Sequence, residues 1–345
     1  MNDFKRDSSE LNLCSDIKAG LTLIVVFYHS IVFYSGNWFT KDPPIVNNAI
    51  SDFASWLNSF HIYAFTLISG YLFFYTAFER EKNSIRGGIR LFLVRKIKRL
   101  IVPYYFVMLI WVLPVQLCFF KYNFFEIASK YILGSNPNQL WFLWMIFWQN
   151  LIFYYIGPHI KENNAVGLFI SIGLFFMGYL FNSFMPNYFQ IVKSTLFVPF
   201  FYLGFLLRKY SGSRKENTEN IFGVAAMAIN VFLFAILKNV TNRYLFLLVE
   251  FVCHLSGAYG GFIIIGKIIR HIRDQKIASH LREKSMGIYL FHQQLVYFAI
   301  KIIPYLSNPY LNSICNFAIS LCGSYFILFI LYKWRPTRIL LGEKS

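Results

Sequence analysis

The residues best suited to chemistry in this sequence are histidines that lie within long apolar stretches. His29 lies in the first apolar stretch, His61 in the second, and His292 near the C-terminus. An ionisable side chain inside a membrane span is costly, so each is a functional candidate. Imidazole titrates near neutral pH and can act as a base or an acid. The alternative for each is a structural histidine that only satisfies neighbouring hydrogen bonds.

His29 has a second polar residue on its predicted helix. Lys18 precedes it by eleven residues. In an α-helix, eleven residues make three turns plus about 20° and rise about 16 Å. The two side chains therefore lie on one stripe, with Lys18 at the predicted cytosolic mouth and His29 near mid-membrane. This geometry suits a site that holds an anion at one end and moves a proton at the other.

Another apolar stretch carries a carboxylate and an imidazole. Glu250 and His254 are four residues apart, which puts them on one helix face. They could simply satisfy each other, or the carboxylate could orient a catalytic imidazole. Elsewhere, Trp141 lies near the outer end of a predicted span, as membrane-belt aromatics do.

A dense basic run, which includes Arg95, Lys96 and Arg99, precedes the third apolar stretch. Basic residues beside a span usually fix its orientation. Such a cluster can also clamp phosphates, because arginine offers a planar fork of donors and lysine a mobile charge. Both roles are compatible here.

The composition requires a lipid environment. Hydrophobic residues make up 57% of the chain, charged residues only 14%, and the mean hydropathy is +0.48. Soluble domains carry about 25% charged residues. We therefore predict an all-α, polytopic transmembrane helical bundle of about ten spanning helices, forming a single membrane domain over residues 1–345. A short cytosolic tail (1–16) and a basic cytosolic loop (79–99) are expected.

Lysine and arginine predict the orientation of these spans. The predicted spans are 17–36, 53–78, 100–120, 139–157, 165–182, 191–207, 220–237, 244–266, 285–303 and 312–332. With both termini in the cytosol, few of the 33 Lys and Arg residues fall outside, as the positive-inside rule requires. Those few are Lys41, Lys121, Lys130, Lys193, Lys238, Arg243 and Lys301. The net charge of +17 then reflects topology, and we expect no nucleic-acid partner.

The five cysteines show neither a C-x-x-C pair nor another metal-ligand spacing. Four of them lie in apolar runs, where cysteine behaves as a small core residue. No metal site is therefore expected.

Several short motifs follow one another along the chain in a characteristic order. They are Asp16 and Lys18 followed by His29; Phe60-His61 with Phe65 and Ser69-Gly70-Tyr71; Lys96-x-x-Arg99-Leu100 with Pro103-Tyr104; Trp141-Phe142-Leu143; Ser285-Met286-Gly287-Ile288-Tyr289-Leu290-Phe291-His292; and Arg335-Pro336 near the end. In this order the sequence resembles the bacterial acyltransferase-3 family of multi-pass membrane acyltransferases. It departs from the family pattern in two places: Tyr63-Ala64-Phe65 lacks the usual proline, and Lys18 replaces the commoner arginine.

The resemblance implies that an acyl group, usually acetyl from acetyl-CoA, is transferred to a hydroxyl of a cell-surface or lipid-linked carbohydrate. The CoA phosphates would then be bound by Lys18, Arg95, Lys96 and Arg99. His29 would be catalytic, as general base or as transient acyl carrier, and His61 is a second catalytic candidate. Either His61 or Glu250 could orient His29. Supporting roles fall to Glu250, His254, Trp141 and His292.

The resemblance also places the protein in the bacterial inner membrane, among membrane lipids and surface-glycan assembly proteins. Two other classes of function fit the composition. One is a polysaccharide exporter or flippase, which would bind no CoA and would need a continuous polar path. The other is a non-catalytic scaffold, which has little reason to keep histidines within its spans.

Overall fold

The computed structural model describes residues 2–36, 38, 43, 45–80, 87–213, 216–271, 275–302 and 308–343. All regular elements in these ranges are helical. The α-helices are α1 (Asn2–Ile31), α2 (Asn48–Asn58), α3 (His61–Phe74), α4 (Gly88–Lys96), α5 (Val102–Val107), α6 (Leu113–Phe119), α7 (Phe124–Ile127), α8 (Trp141–Glu162), α9 (Asn164–Phe181), α10 (Ile191–Leu196), α11 (Val198–Lys209), α12 (Glu216–Leu237), α13 (Arg243–Arg270), α14 (Gln275–Ile302), α15 (Pro309–Leu331) and α16 (Arg335–Leu340). Short π-helical turns continue the chain directly after α3, α4, α5 and α7.

Eight stretches within the described residues are long and apolar enough to cross a membrane. They are Glu10–Ser35, Asn48–Glu79, Gly88–Phe119, Asn138–Glu162, Asn164–Phe181, Asn217–Leu237, Arg243–Ile269 and Pro309–Leu331. A ninth is a broken pair, Tyr188–Leu196 and Val198–Lys209, bent by 59°. Large apolar side chains such as Phe169, Phe232 and Phe326 point outward from three of these helices. The predicted all-α polytopic bundle is therefore confirmed.

Residues 285–302 of the remaining predicted span, 285–303, belong to α14. This helix is 28 residues long, but it is not apolar enough to be counted with the others. Its centre carries His292, Gln293 and Gln294, all buried. It packs against both α1 and α15. A helix sheltered by protein in this way can carry polar groups at membrane depth.

Two segments expected to lie outside the spans are helical. α1 already begins at Asn2, so the residues that precede the candidate span Glu10–Ser35 continue the same helix. The basic run is helical as well, because α4 and the π-helical turn Ile97–Ile101 carry it into the third span. Residues 81–86 of the predicted loop lie outside the described ranges.

α3 and α11 cross at very close range through two glycines. A Cβ added at Gly70 would overlap the carbonyl of Phe201, and one added at Gly204 would overlap the carbonyl of Leu67. Small residues permit such close approach of helix backbones. The crossing fixes α3, which begins at His61, relative to the rest of the bundle.

Candidate active site

Lys18 and His29 both lie on α1, which is unbroken from Asn2 to Ile31. The predicted stripe therefore exists, and about 16 Å of helix separates the two residues. Both side chains are half-buried. α1 packs against α3, α13, α14 and α15, so the stripe faces other helices of the bundle.

His292 is the residue that the fold brings to His29. Its Nε2 lies 3.2 Å from Nδ1 of His29, and the ring centroids are 5.0 Å apart. The two histidines are 263 positions apart in the sequence, and they meet because α14 packs along α1. His292 is fully buried. Sequence reasoning gave it only a supporting role and named His61 or Glu250 to orient His29.

The hydrogen bonds of this pair fix which nitrogen carries each proton. Nδ1 of His292 lies 2.7 Å from the carbonyl of Tyr289, and a carbonyl can only accept. His292 therefore carries its proton on Nδ1, which leaves Nε2 as an acceptor. Nδ1 of His29 lies 2.9 Å from the carbonyl of Val25, so it carries the proton and can share it with Nε2 of His292. Nε2 of His29 is then the unprotonated nitrogen.

α15 holds both helices of the pair from one side. Asn316 donates to the carbonyl of Ser30, on α1, at 3.3 Å. Ser320 donates to the carbonyl of His292, on α14, at 2.8 Å. Sequence reasoning missed these residues, although a signal was present. A buried polar residue recurs every four positions along α15, at Asn312, Asn316, Ser320 and Ser324, which is one helix face.

His61 lies near this pair but does not contact it directly. Its Nδ1 donates to the carbonyl of Leu57 at 2.6 Å, and its ring is 1% exposed. The ring of Tyr28 packs against both histidines, with centroids 5.1 Å from His61 and 5.0 Å from His29. His61 thus borders the site through Tyr28.

Three cations gather on the Lys18 side. Lys18, Lys96 and Arg99 are close enough for their charges to repel one another. Within the part of the chain that the structure describes, no carboxylate forms an ion pair with any of them. Lys96 donates to Oδ1 of Asn150 at 2.5 Å. Lys18 and Lys96 are half-buried and Arg99 is exposed, so an anion can reach the cluster. A bound anion would offset the repulsion between these like charges, and the cluster is therefore suited to binding one.

The backbone beside this cluster is shaped by a proline. Pro103 has no N–H, so it cannot bond the carbonyl of Arg99 as a normal helix would. The chain instead makes a π-helical turn over Ile97–Ile101. Such turns are frequent at functional sites. Arg95 is exposed on α4 and is not among the residues that repel Lys18 or Lys96.

The remaining candidates lie apart from His29. His254 donates from Nδ1 to the carbonyl of Ser59 at 2.9 Å, and its Nε2 is 3.8 Å from Glu250. That distance is too long for a hydrogen bond. Trp141 lies beneath Lys193, whose Nζ is 3.8 Å from the ring centroid. The structure therefore gives these residues no contact with the histidine pair.

A buried charge network at the Lys18 end was not predicted. Arg208, on α11, is 8% exposed and forms an ion pair with Glu10 at 2.6 Å. It also bonds Glu79, with Nε 2.9 Å from Oε2, and it stacks over Tyr75 at 4.6 Å. Tyr71 completes the network through Glu10. The network ties α1 to α3, its π-helical extension, and α11.

Comparison with known proteins places this chain in a family. A family model described as an acyltransferase domain matches residues 16–333, nearly the whole chain. The chain belongs to the acyltransferase-3 family. It is therefore a multi-pass membrane acyltransferase, and the motifs that carried the resemblance all fall within or beside the matched range. Neither the curated proteins nor the solved structures gave a significant match.

Proposed function

We propose that this acyltransferase moves an acyl group, acetyl in the simplest case, from acyl-CoA to a hydroxyl of a cell-surface or lipid-linked carbohydrate in the bacterial inner membrane. One observation carries the proposal. A single helix holds a histidine whose hydrogen bonds leave Nε2 free of a proton when the ring is neutral, and a cation that belongs to a cluster without carboxylate partners in the described residues.

The cation cluster provides the donor side of the proposal. CoA carries several phosphates. A phosphate bound among Lys18, Lys96 and Arg99 would offset the repulsion between their charges. Arginine can bind phosphate with two parallel donors and lysine with one. With both termini in the cytosol, this cluster faces the compartment where acyl-CoA is made.

The histidine pair provides the chemical step. Nε2 of His29 removes the proton from the attacking sugar hydroxyl as its oxygen bonds to the thioester carbonyl carbon. The resulting imidazolium is stabilised by the acceptor Nε2 of His292 and by the carbonyl of Val25. When the carbon–sulfur bond breaks, His29 returns the proton to the leaving thiolate. His292 is thus a positioning residue that also stabilises the charged base.

The first test measures ester-linked acyl groups on surface glycans by mass spectrometry. A deletion strain of the source organism is complemented with wild type, His29→Ala or His159→Ala. His159 lies exposed on α8, away from the pair, and is the matched control. We expect normal export in all strains, with ester restored by wild type and His159→Ala but not by His29→Ala. Protein levels are compared by immunoblotting.

Two outcomes would contradict the proposal. Full ester content with His29→Ala would remove His29 from the chemistry. Loss of export itself in the deletion strain, with no unmodified glycan outside, would favour an exporter. In that case the cation cluster would serve only to orient the spans.

A further inference from the structure

A second polar cluster lies beside His29, past the end of α1 and therefore away from Lys18. Gly36 adopts a positive φ of 96°, a conformation that favours glycine, and the chain turns there. The ring of Trp38 then lies 5.8 Å from that of His29 and 5.0 Å from that of Tyr297. Tyr297, on α14, is 5% exposed.

Two buried amides complete this cluster. Gln293 donates from Nε2 to the hydroxyl of Tyr297 at 2.9 Å, while its Oε1 is buried without a partner. Gln116, on α6, lies against the same hydroxyl, yet its buried Nε2 has no well-oriented acceptor. They are 5% and 2% exposed. Buried polar atoms are nearly always hydrogen-bonded, so an orphan atom on each of two side chains that meet at one hydroxyl needs an explanation.

The available groups match a sugar ring. A sugar hydroxyl both donates and accepts, and the two orphan atoms are one acceptor, Oε1 of Gln293, and one donor, Nε2 of Gln116. The rings of Trp38 and Tyr297 pack on each other and together form an aromatic surface beside His29, which suits the apolar face of such a ring. An alkyl chain would satisfy neither amide. The CoA phosphates, in turn, are expected about 16 Å away along α1.

We propose that Trp38, Tyr297, Gln293 and Gln116 bind one sugar ring of the acceptor and present its hydroxyl to Nε2 of His29. This proposal rests on the proposed function, because it assumes that the acceptor is a carbohydrate. It adds the residues that would select the acceptor independently of the donor.

The test combines a cell assay with a binding assay. Gln116→Leu and Gln293→Leu are placed in the complemented deletion strain, and surface-glycan esters are measured. The same variants are purified in nanodiscs, and their Kd for acetyl-CoA is measured. Gln149→Leu is the control, because Gln149 is also buried with an orphan Oε1 but bonds Ser194 on another helix. We expect about five- to tenfold less ester for each site variant, as for loss of a buried hydrogen bond, and an unchanged Kd for acetyl-CoA.

Each other outcome is decisive. Wild-type ester content in both variants, equal to that of Gln149→Leu, would overturn the sugar site while leaving the proposed function intact. A weaker Kd for acetyl-CoA would assign the cluster to the donor and also overturn it. If wild type itself restores no ester, the proposed function fails and the sugar site falls with it.

Discussion

Two cationic regions lie at the same end of the bundle, and they differ in their partners. Arg208 is held between Glu10 and Glu79, with bonds to both. Lys18 and Arg99 have no carboxylate partner in the described residues and repel each other. The two regions are close to each other, because Cys14 interacts electrostatically with both Lys18 and Arg208.

This difference separates a structural role from a binding role. A buried charge that already has its counter-charges can bind nothing further without losing them, so it fastens the helices that carry it. A group of like charges without a counter-charge is stabilised electrostatically when an anion binds to it. Removing the first kind of cation should therefore affect folding, and removing the second kind should affect ligand binding.

The largest expected effect is that of Arg208→Ala. It leaves two carboxylates near one another without a cation, and losing one partner of a buried ion pair costs about 3–5 kcal/mol. We expect a clearly lower Tm for the variant in nanodiscs, with thermal unfolding monitored by intrinsic fluorescence. Arg243→Ala is the control, because Arg243 is exposed and exposed pairs contribute about 1 kcal/mol or less. An unchanged Tm for Arg208→Ala would show that the network does not fasten the bundle.

Adding Glu10→Gln and Glu79→Gln to an Arg208→Met chain should recover much of this stability. An uncharged replacement for a whole buried ion pair is often nearly neutral. The triple variant should therefore melt closer to wild type than Arg208→Ala does. If it melts no higher than Arg208→Ala does, uncompensated charge is not the cause of the loss, and the contact of the guanidinium with Tyr75 is the remaining explanation.

The sequence predicted the Lys18–His29 stripe because helix periodicity is a local property, and it predicted the spans because apolar length is also local. It did not predict the pairing of His29 with His292, since their 263-residue separation is closed only by helix packing. The ion pairs of Arg208 were not predicted for the same reason. Its partners, Glu10 and Glu79, come from distant segments.

A smaller effect is expected from the double variant Lys18→Met/Arg99→Met. We expect the Kd for acetyl-CoA to rise at least tenfold, since charge-assisted bonds to phosphate contribute about 1.5–3 kcal/mol each. The Tm should stay the same or rise, because two mutually repelling charges are gone. Lys98→Met is the control, because Lys98 lies on the same π-helical turn but is not among the cations that repel Lys18 or Lys96. An unchanged Kd would mean that this cluster does not hold the donor.

The smallest effect, and the finest distinction between the two regions, is expected from Lys18→Arg. It installs the arginine that is commoner in the family, and a guanidinium can bond phosphate with two donors where an ammonium uses one. We expect the Kd for acetyl-CoA to fall about two- to threefold, with the Tm unchanged, because Lys18 has no carboxylate partner to rearrange in the described residues. A lower Tm with an unaltered Kd would show instead that Lys18 is held by its surroundings, as Arg208 is.

Binding at 0.1 M and 1 M NaCl distinguishes these cases further, because the screening length shortens from about 10 Å to about 3 Å. The gain from Lys18→Arg should shrink at high salt if it comes from phosphate contact at the open end of the stripe.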